Sequence, residues 1–255
     1  MNEVPNDGII RFPAFFNLDW LMLTGPSSLA EVLVHKSYDY HKPAPVRKFL
    51  RIILGEGLVV VEDDVHRFQR KHATPAFSFR HIKELYPIFW SKAVEMSRGI
   101  AAEVYENPEP SLSENKLENP QGIVEINHWS NKATMDIIGV AGLGRDFNAL
   151  KNPDDELLKN YEEILEPTTE KGIYFALNLL LPHRLIAMLP WRLNDRLKVT
   201  TDTLRRFCLQ LITDKKQVIK AQGEDNIDIL SLLIKSNDFA DENLVDQLLT
   251  FLAAG

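Results

Sequence analysis

The side chains with the most chemical potential lie together at residues 66–71, where the sequence reads His-Arg-Phe-Gln-Arg-Lys. Acidic residues at 62–64 precede this segment and basic residues end it, an order that suits the dipole of an α-helix. His66 and Arg70 are four residues apart, so on a helix they share a face and could bind one carboxylate or phosphate together. A plainer interpretation is a solvated basic face, because residues 66–83 hold five Lys or Arg and no Asp or Glu.

The other histidines and the cysteine form no pattern that is typical of a metal or nucleophilic site. The histidines at 66, 72, 81 and 128 include no pair spaced by four residues, so a zinc site is not predicted. Cys208 lies in a helical run with no glycine nearby, and it is expected to be an inert thiol.

Two further patterns have simple structural interpretations. Gly139, Gly142 and Gly144 follow a helical run in the wrong order for a phosphate loop, which indicates a helix-ending turn. Glu95 and Arg98 are three residues apart and are interpreted as an ion pair on an exposed helix face.

The charge balance limits the class of partner. The 255 residues include 29 Lys and Arg against 36 Asp and Glu, so the net charge is -7 and a general polyanion binder is not expected. Nucleic-acid binding through the basic residues 66–83 is the least favoured alternative, and it predicts an affinity that falls steeply with salt. One cysteine excludes a disulfide framework and any multi-cysteine zinc or iron–sulfur site.

Hydrophobic periodicity predicts a mainly α protein with a small N-terminal β-sheet. Apolar runs at residues 9–16 and 18–23 are typical of strands, and Ser27 or Ser28 is expected to cap a helix that reaches Val34. An exposed loop is predicted at 107–122, and no domain boundary is apparent, so residues 1–255 are interpreted as a single domain. Further helical runs lie at 46–54, 65–74, from 78 or 79, 87–105, 126–141, 154–170, 191–222, 227–235 and 241–254.

No membrane-spanning segment is predicted. The apolar window at residues 173–191 is interrupted by Pro182, His183 and Arg184, whereas a helical span needs roughly 20 apolar residues. The window is interpreted as a buried helix–loop–helix or as a loop that dips into a membrane surface. The polar N-terminus predicts neither a signal peptide nor an anchor in this chain.

Four groups of segments occur in an order that points to a family. They are residues 7–12, 29–33 and 36–39; residues 54–58, 66–71 and 75–78; residues 136–139 and 142–144; and residues 244–248 and 253–255. They resemble the opening strands and first helices, the helix C region, the end of helix E and the first half of helix I of a cytochrome P-450 of the microsomal, fungal type. The resemblance implies an incomplete cytochrome P-450 fold that ends within helix I. Residues 1–25 would form its N-terminal strands, and residues 26–255 helices B to the start of I.

The resemblance gives four residues a role in the cofactor site. Helix C of the family usually carries Trp-x-x-x-Arg, and both side chains bind a haem propionate. His66 stands in place of the Trp and keeps a hydrogen-bond donor, and Arg70 matches the Arg, so the resemblance implies haem as the cofactor. Ala254 and Gly255 match the start of the family's oxygen-activating Ala-Gly-x-Asp/Glu-Thr groove, and they are expected to contribute to cofactor binding.

The resemblance also implies partners and a location. Arg67, Lys71 and Lys83 match the side on which the family's NADPH–cytochrome P-450 reductase docks. Residues 38–61 and 175–191 would border a channel for a lipophilic small-molecule substrate. The implied location is the endoplasmic reticulum membrane surface, with peripheral contact. The chain as given, with no anchor, is expected to be cytoplasmic, and nucleic acid is not an expected partner.

Three motifs of the family have no match in these 255 residues. They are the Asp/Glu-Thr pair that delivers protons, the Glu-x-x-Arg of a later helix, for which Glu95 and Arg98 are a chance match, and the loop with the thiolate ligand of the iron. Cys208 is in the wrong context to replace that ligand. The sequence therefore predicts the N-terminal fragment of a haem-dependent monooxygenase, inactive alone. The alternative is a non-catalytic truncated relative, either a binding or regulatory protein or a degenerate gene product.

Overall fold

The computed structural model describes residues 7–13, 19–107, 122–152, 159, 168–181, 185–186, 188, 191–222 and 228–254. The Cα positions group the chain into two compact units, residues 1–44 and residues 45–255. The single-domain interpretation stays a prediction, and each unit is described by itself.

The first unit contains the predicted sheet. Strands β1 (Ile9–Pro13) and β2 (Asp19–Leu23) pair antiparallel, with Ile9 opposite Leu23 and Pro13 opposite Asp19. The directly opposed rings of Phe12 and Trp20 meet edge to face at 6.0 Å, a cross-strand contact that stabilises the pair. The prediction of two N-terminal strands is confirmed.

The first helix has a different cap from the predicted serine. Helix α1 (Pro26–Ala30) has Gly25 as its N-cap and continues as a π-helical turn, Glu31–His35. Proline suits the first helical position because its missing N–H would have no helical partner there. The Ser28 hydroxyl donates instead to the Gly8 carbonyl at 3.1 Å, which fixes the helix to the residue before β1.

The remaining elements are helical, as the periodicity predicts. A 3₁₀ turn (Thr74–Phe77) follows the third helix, and a π-helical turn (Ile138–Leu143) follows the fifth. No helix of the described residues is long and apolar enough to cross a membrane. The helices are α2 (Ala44–Leu54), α3 (Asp63–Ala73), α4 (Phe79–Glu106), α5 (Ile126–Ile137), α6 (Thr169–Leu180), α7 (Arg192–Gln222), α8 (Ile229–Ser236) and α9 (Asp241–Ala254).

Helix α4 runs through Pro87, where the sequence predicts a separate start. A proline inside a helix removes one hydrogen bond and costs about 3 kcal/mol. Packing on both sides of the proline offsets this cost, because Leu85 and Lys92 are both buried. Ser78 caps the true start by accepting a hydrogen bond from the His81 amide. Most of the predicted helix at 154–170 lies outside the described residues.

The main core surrounds α9. Its predicted apolar stripe is confirmed, since each stripe residue is at most 4% exposed, and α7 and α8 pack around it. Burying one such side chain contributes about 1.5–3 kcal/mol. Three polar residues of α9 are buried as well, at Asp246, Gln247 and Thr250, so this helix also needs polar partners. The stripe consists of Leu244, Val245, Leu248, Leu249 and Leu252.

Candidate functional site

Helix α3 carries the predicted anion-binding pair. Asp63 and Asp64 occupy its first turn and three basic residues its last, so both ends complement the helix dipole. Residues four apart on a helix point about 40° from each other, which confirms that His66 and Arg70 share a face. His66 is half-buried and Arg70 is exposed, so the pair spans the edge between the protein interior and solvent.

The Arg70 guanidinium has no carboxylate counter-ion among the residues that the structure describes. Its backbone carbonyl accepts a hydrogen bond from the Thr74 hydroxyl at 2.6 Å, which stabilises the end of α3. By contrast, Arg67 on the same helix pairs with Asp64 at 2.9 Å. A cation without an internal partner, one turn from a ring that can donate, fits the carboxylate of a haem propionate.

A polar junction holds α3 against α9. The Gln69 side chain donates to the Glu56 carbonyl at 2.9 Å and accepts from the Gln247 side chain at 2.8 Å. The Gln247 side-chain oxygen in turn accepts from the Leu58 amide at 3.3 Å. We call these three bonds and the turn at residues 55–58 the glutamine junction. Sequence analysis missed it, because its members are up to 189 residues apart, as Leu58 and Gln247 are.

Two glycines allow this turn to approach α9. A Cβ atom on Gly57 would lie 2.1 Å from Thr250 Oγ1 and 2.5 Å from the Asp246 carbonyl oxygen. A Cβ atom on Gly55, where φ is +66°, would lie 2.1 Å from Asp246 Oδ1. Only glycine fits both positions, since the turn meets the backbone of α9 at Gly57 and the Asp246 side chain at Gly55.

Asp246 ties the same turn to a third helix. Its Oδ2 accepts a hydrogen bond from the Glu56 amide at 2.8 Å. Its Oδ1 lies 2.8 Å from Nη2 of Arg205 on α7 and forms an ion pair with it. The turn before α3 is therefore fixed to α9, and α9 to α7.

A second buried ionic group joins α4 to the segment after α5. Nζ of Lys92 lies 2.8 Å from Asp146 and 3.4 Å from Asp136, while Asp136 also accepts from the Ala149 amide at 2.7 Å. Burial opposes the charge of Lys92, but the Asp146 hydrogen bond and the charges of Asp136, Asp146 and Glu95 outweigh it and raise its pKa. This group links α4 to α5 and to the segment after it, and Lys92 and Asp146 also line an open depression of about 980 Å³ together with Glu95 and Lys151.

The predicted Glu95–Arg98 ion pair is wrong. Glu95 lies 2.5 Å from Lys151 and 3.6 Å from Lys92. The hydrogen bond from Lys151 lowers the pKa of Glu95, against the opposing effect of burial, and Lys92 adds to it. Lys151 is 56 positions along the chain from Glu95, so helix spacing could not reveal the preferred partner.

The glycine and cysteine interpretations are confirmed. Gly144 has φ +69° and ends the π-helical turn, as a helix-ending glycine does. Cys208 is fully buried in α7, and desolvation raises its pKa to about 12, with Arg205 opposing. Cys208 is therefore enclosed among the side chains of the main core, as the interpretation of an inert helical thiol expects.

The predicted docking residues are all exposed. Arg67 and Lys71 lie on α3, and Lys83 lies on the first part of α4. Lys71 also lines an open depression of about 400 Å³, together with Lys235 and Asp238. Exposure is compatible with docking, and the assignment to a reductase stays a prediction.

The two segments expected to border the substrate channel meet in the second unit. The ring of Phe49 on α2 lies 5.0 Å from that of Phe175 and 6.0 Å from that of Tyr174, both on α6. Phe49 and Tyr174 belong to a second apolar cluster with Ile186 and Trp191. The structure thus brings α2 and α6 together through aromatic side chains.

Comparison with known proteins gives this arrangement a family. The family model described as cytochrome P-450 matches residues 17–255. The chain belongs to the cytochrome P-450 family.

Its curated relatives are fungal monooxygenases. Cytochrome P-450 monooxygenase sphH of Aspergillus fumigatus is 36% identical over 99% of this chain and 45% of its own length. Cytochrome P-450 monooxygenase ALT8 of Alternaria alternata is 38% identical over 100% of this chain and 45% of its own length. Cytochrome P-450 monooxygenase FUM15 of Gibberella moniliformis is 39% identical over 97% of this chain and 41% of its own length. The chain spans about half the length of the curated relatives that it matches.

A solved structure shows the same fold. The crystal structure of the cytochrome P-450 CYP102L1 superposes with a TM-score of 0.67 at 17% identity, over 98% of this chain and 52% of that one. This confirms the predicted fold class, a mainly helical cytochrome P-450 fold, present in part, with a small N-terminal sheet.

Ala254 and Gly255 are the remaining predicted cofactor residues of this cytochrome P-450 chain. The backbone of Ala254 is the last of α9, and Gly255 lies outside the described residues. Their role stays a prediction. Haem is implied by the family, and of the predicted residues it is His66 and Arg70 whose placement fits a haem propionate.

Proposed function

We propose that this chain is the N-terminal part of a haem-thiolate monooxygenase that inserts one oxygen atom from O₂ into a lipophilic small molecule. Its electrons would come from NADPH through a reductase. The observation that carries the proposal is the family match over residues 17–255, together with an α3 on which Arg70, one turn from His66, has no carboxylate counter-ion in the described part of the chain.

In this proposal, α3 holds one haem propionate. Arg70 supplies the charge and His66 a second donor, and a charge-assisted hydrogen bond is about twice as strong as a neutral one. When bound, haem supplies the chemistry of oxygen activation. Cys208 is enclosed in the main core and is not assigned as the thiolate ligand. Helix α9 up to Ala254 contains no Asp/Glu-Thr pair, so it does not supply the proton-delivering residues.

The substrate and partner assignments rest on surface chemistry. The aromatic contacts of Phe49 with Tyr174 and Phe175 supply an apolar border that suits a lipophilic substrate. The exposed Arg67, Lys71 and Lys83 suit an acidic reductase surface, and opposite charges chiefly speed such docking. We place the protein at the endoplasmic reticulum membrane surface, as the fungal type implies.

The first test is the sequence of the transcript from upstream of Met1 to its poly(A) tail. The protein that this transcript encodes is called the full-length protein below. We expect a reading frame that continues beyond Gly255 into Asp/Glu-Thr, Glu-x-x-Arg and a cysteine loop. A stop codon directly after Gly255 would instead favour the non-catalytic relative.

The second test is a haem titration of residues 1–255 alone. We expect weak or no haem binding and no monooxygenase turnover, because neither the thiolate nor the other half of the relatives' length is present. A stable complex with the spectrum of thiolate-ligated haem would overturn the proposal.

A further inference from the structure

We propose that Gln69 and Gln247 are positioning residues, which fix the rotation of α3 on α9 and so place His66 and Arg70 for the haem propionate. The inference rests on the proposed function, because it concerns the placement of the same pair. Both glutamine side chains are buried and hydrogen-bonded to other protein groups. Their effect acts through α3.

Polar side chains at these two positions are costly unless they are fully bonded. Gln69 is 3% exposed and Gln247 is 0% exposed, and burying an amide without partners costs about 1–3 kcal/mol in proteins. An apolar side chain of the same length would fill the space without that cost. The glutamines differ from such a residue in having bonds with direction, since each accepts one hydrogen bond and donates another.

The direction of these bonds sets the rotation of the helix. Gln69 follows His66 by three residues and precedes Arg70 by one, so all three side chains move together when α3 turns about its axis. A rotation of about 20° moves a side-chain tip that is about 6 Å from the axis by about 2 Å. A shift of that size breaks a hydrogen bond to a propionate, whose useful range is a few tenths of an ångström.

The base against which α3 is held is itself fixed. Gln247 lies in α9 between the buried Asp246 and Leu248, at the centre of the main core. The turn at residues 55–58 touches α9 through its backbone at Gly57, so no side chain can act as a compressible spacer there. A packed core resists small displacements, so the junction transmits the position of α9 to α3.

The test uses the full-length protein loaded with haem, in which Gln69→Met and Gln247→Met keep side-chain length and lose the amide bonds. The first readout is the rate at which haem transfers to excess apomyoglobin. Each variant lacks two buried hydrogen bonds, one of them shared by the two glutamines, and we expect it to lose haem roughly five- to tenfold faster. The acceleration of haem loss in the double variant should be smaller than the product of the two single accelerations, because the two residues share one hydrogen bond.

A control variant and a second readout separate positioning from general loss of stability. Ile186→Val should lower the stability by a similar amount, because it removes a buried methyl group. Ile186 lies in the second apolar cluster rather than in the main core around α9, so this variant should lose haem at the wild-type rate. The second readout is hydrogen exchange of apoprotein peptides. In both glutamine variants we expect faster exchange in residues 54–73 and unchanged exchange in α7. Equal acceleration across all peptides would show a structural role and overturn the inference.

Arg70→Ala distinguishes this inference from the proposed function. If Arg70→Ala speeds haem loss while both glutamine variants keep the wild-type rate, the inference is overturned and the propionate site is kept. If Arg70→Ala leaves haem loss unchanged, the propionate assignment fails, and the positioning inference fails with it. Faster loss in all three, with Ile186→Val unchanged, supports both.

Discussion

At the scale of single residues, the two proposed propionate ligands, His66 and Arg70, differ in burial. The half-buried His66 lies next to the packed face of α3, whereas the exposed Arg70 has no internal counter-ion among the described residues. The helix fixes the spacing of their two backbone positions before any anion binds.

Arg70→Ala should weaken haem retention in the full-length protein. Removing the charge from a charge-assisted pair costs about 1.5–3 kcal/mol, so haem should dissociate roughly ten- to a hundredfold faster. The measurement is haem transfer to apomyoglobin at 25 °C. Arg67→Ala is the matched control, because Arg67 is on the same helix and pairs with Asp64 on the surface. Equal haem loss in both variants would contradict the assignment.

At the scale of elements, glycines decide how closely the α2–α3 turn approaches α9. Gly57→Ala should lower the free energy of unfolding by about 1–3 kcal/mol, because the new methyl overlaps Thr250 and the Asp246 backbone. Gly172→Ala in α6 is the opposite case, since nothing lies within 4 Å of its Cβ position, and it should stabilise by up to about 1 kcal/mol. Urea unfolding of both variants of the full-length protein tests the pair of signs.

The contact between α4 and the segment after α5 should depend on Lys92. The pKa of Glu95 is lowered from its ordinary 4.5 by Lys151 and Lys92, against the opposing effect of burial. For Asp146, burial opposes the shift, but Lys92 and the Asn148 amide lower the pKa below its ordinary 3.8. The stability that the Glu95 and Asp146 carboxylates contribute is therefore complete above their ordinary pKa values. It is lost as the pH falls through their lowered native pKa values.

Lys92→Met should lower the free energy of unfolding at pH 7 by about 2–4 kcal/mol, somewhat less than for a fully buried pair because Asp146 is 41% exposed. It should also flatten the loss of stability between pH 5 and pH 3, since the native carboxyl pKa values then lie closer to the unfolded ones. Urea titrations across this range measure both effects. If the free energy of unfolding falls as steeply between pH 5 and pH 3 as in the wild type, Lys92 does not lower the pKa of these carboxylates.

The contribution of Lys92 itself has the opposite sign with pH. Its raised pKa means that this contribution is present below its ordinary 10.5 and is lost as the pH rises through the raised value. Stability from this group is therefore complete at neutral pH.

At the scale of the whole molecule, α4 carries a row of exposed aromatic side chains at helical spacing. Phe79 is 85% exposed, Tyr86 is 60% exposed and Trp90 is 62% exposed. Large exposed apolar surfaces favour association between molecules. Residues 1–255 expressed by themselves should therefore associate, and Trp90→Lys should reduce the association, as light scattering against concentration would measure. A monodisperse chain that unfolds cooperatively would instead support the non-catalytic relative.

The sequence by itself determined the local features. Helical periodicity located α7, α8 and α9 to within two residues at each end, and the four-residue spacing placed His66 and Arg70 on one face. The order of short segments along the chain identified the cytochrome P-450 fold that the comparisons confirm. These features depend on neighbours in the chain, whose geometry the helix repeat fixes.

Only the tertiary structure decided which distant groups meet. Glu95 pairs with Lys151 rather than with the nearby Arg98, and α4 passes through Pro87 because Leu85 and Lys92 are buried on either side. The bond between Gln69 and Gln247 joins residues 178 positions apart. Sequence spacing carries no signal for such pairs, because a buried polar group selects its partner by the packing of whole helices around it.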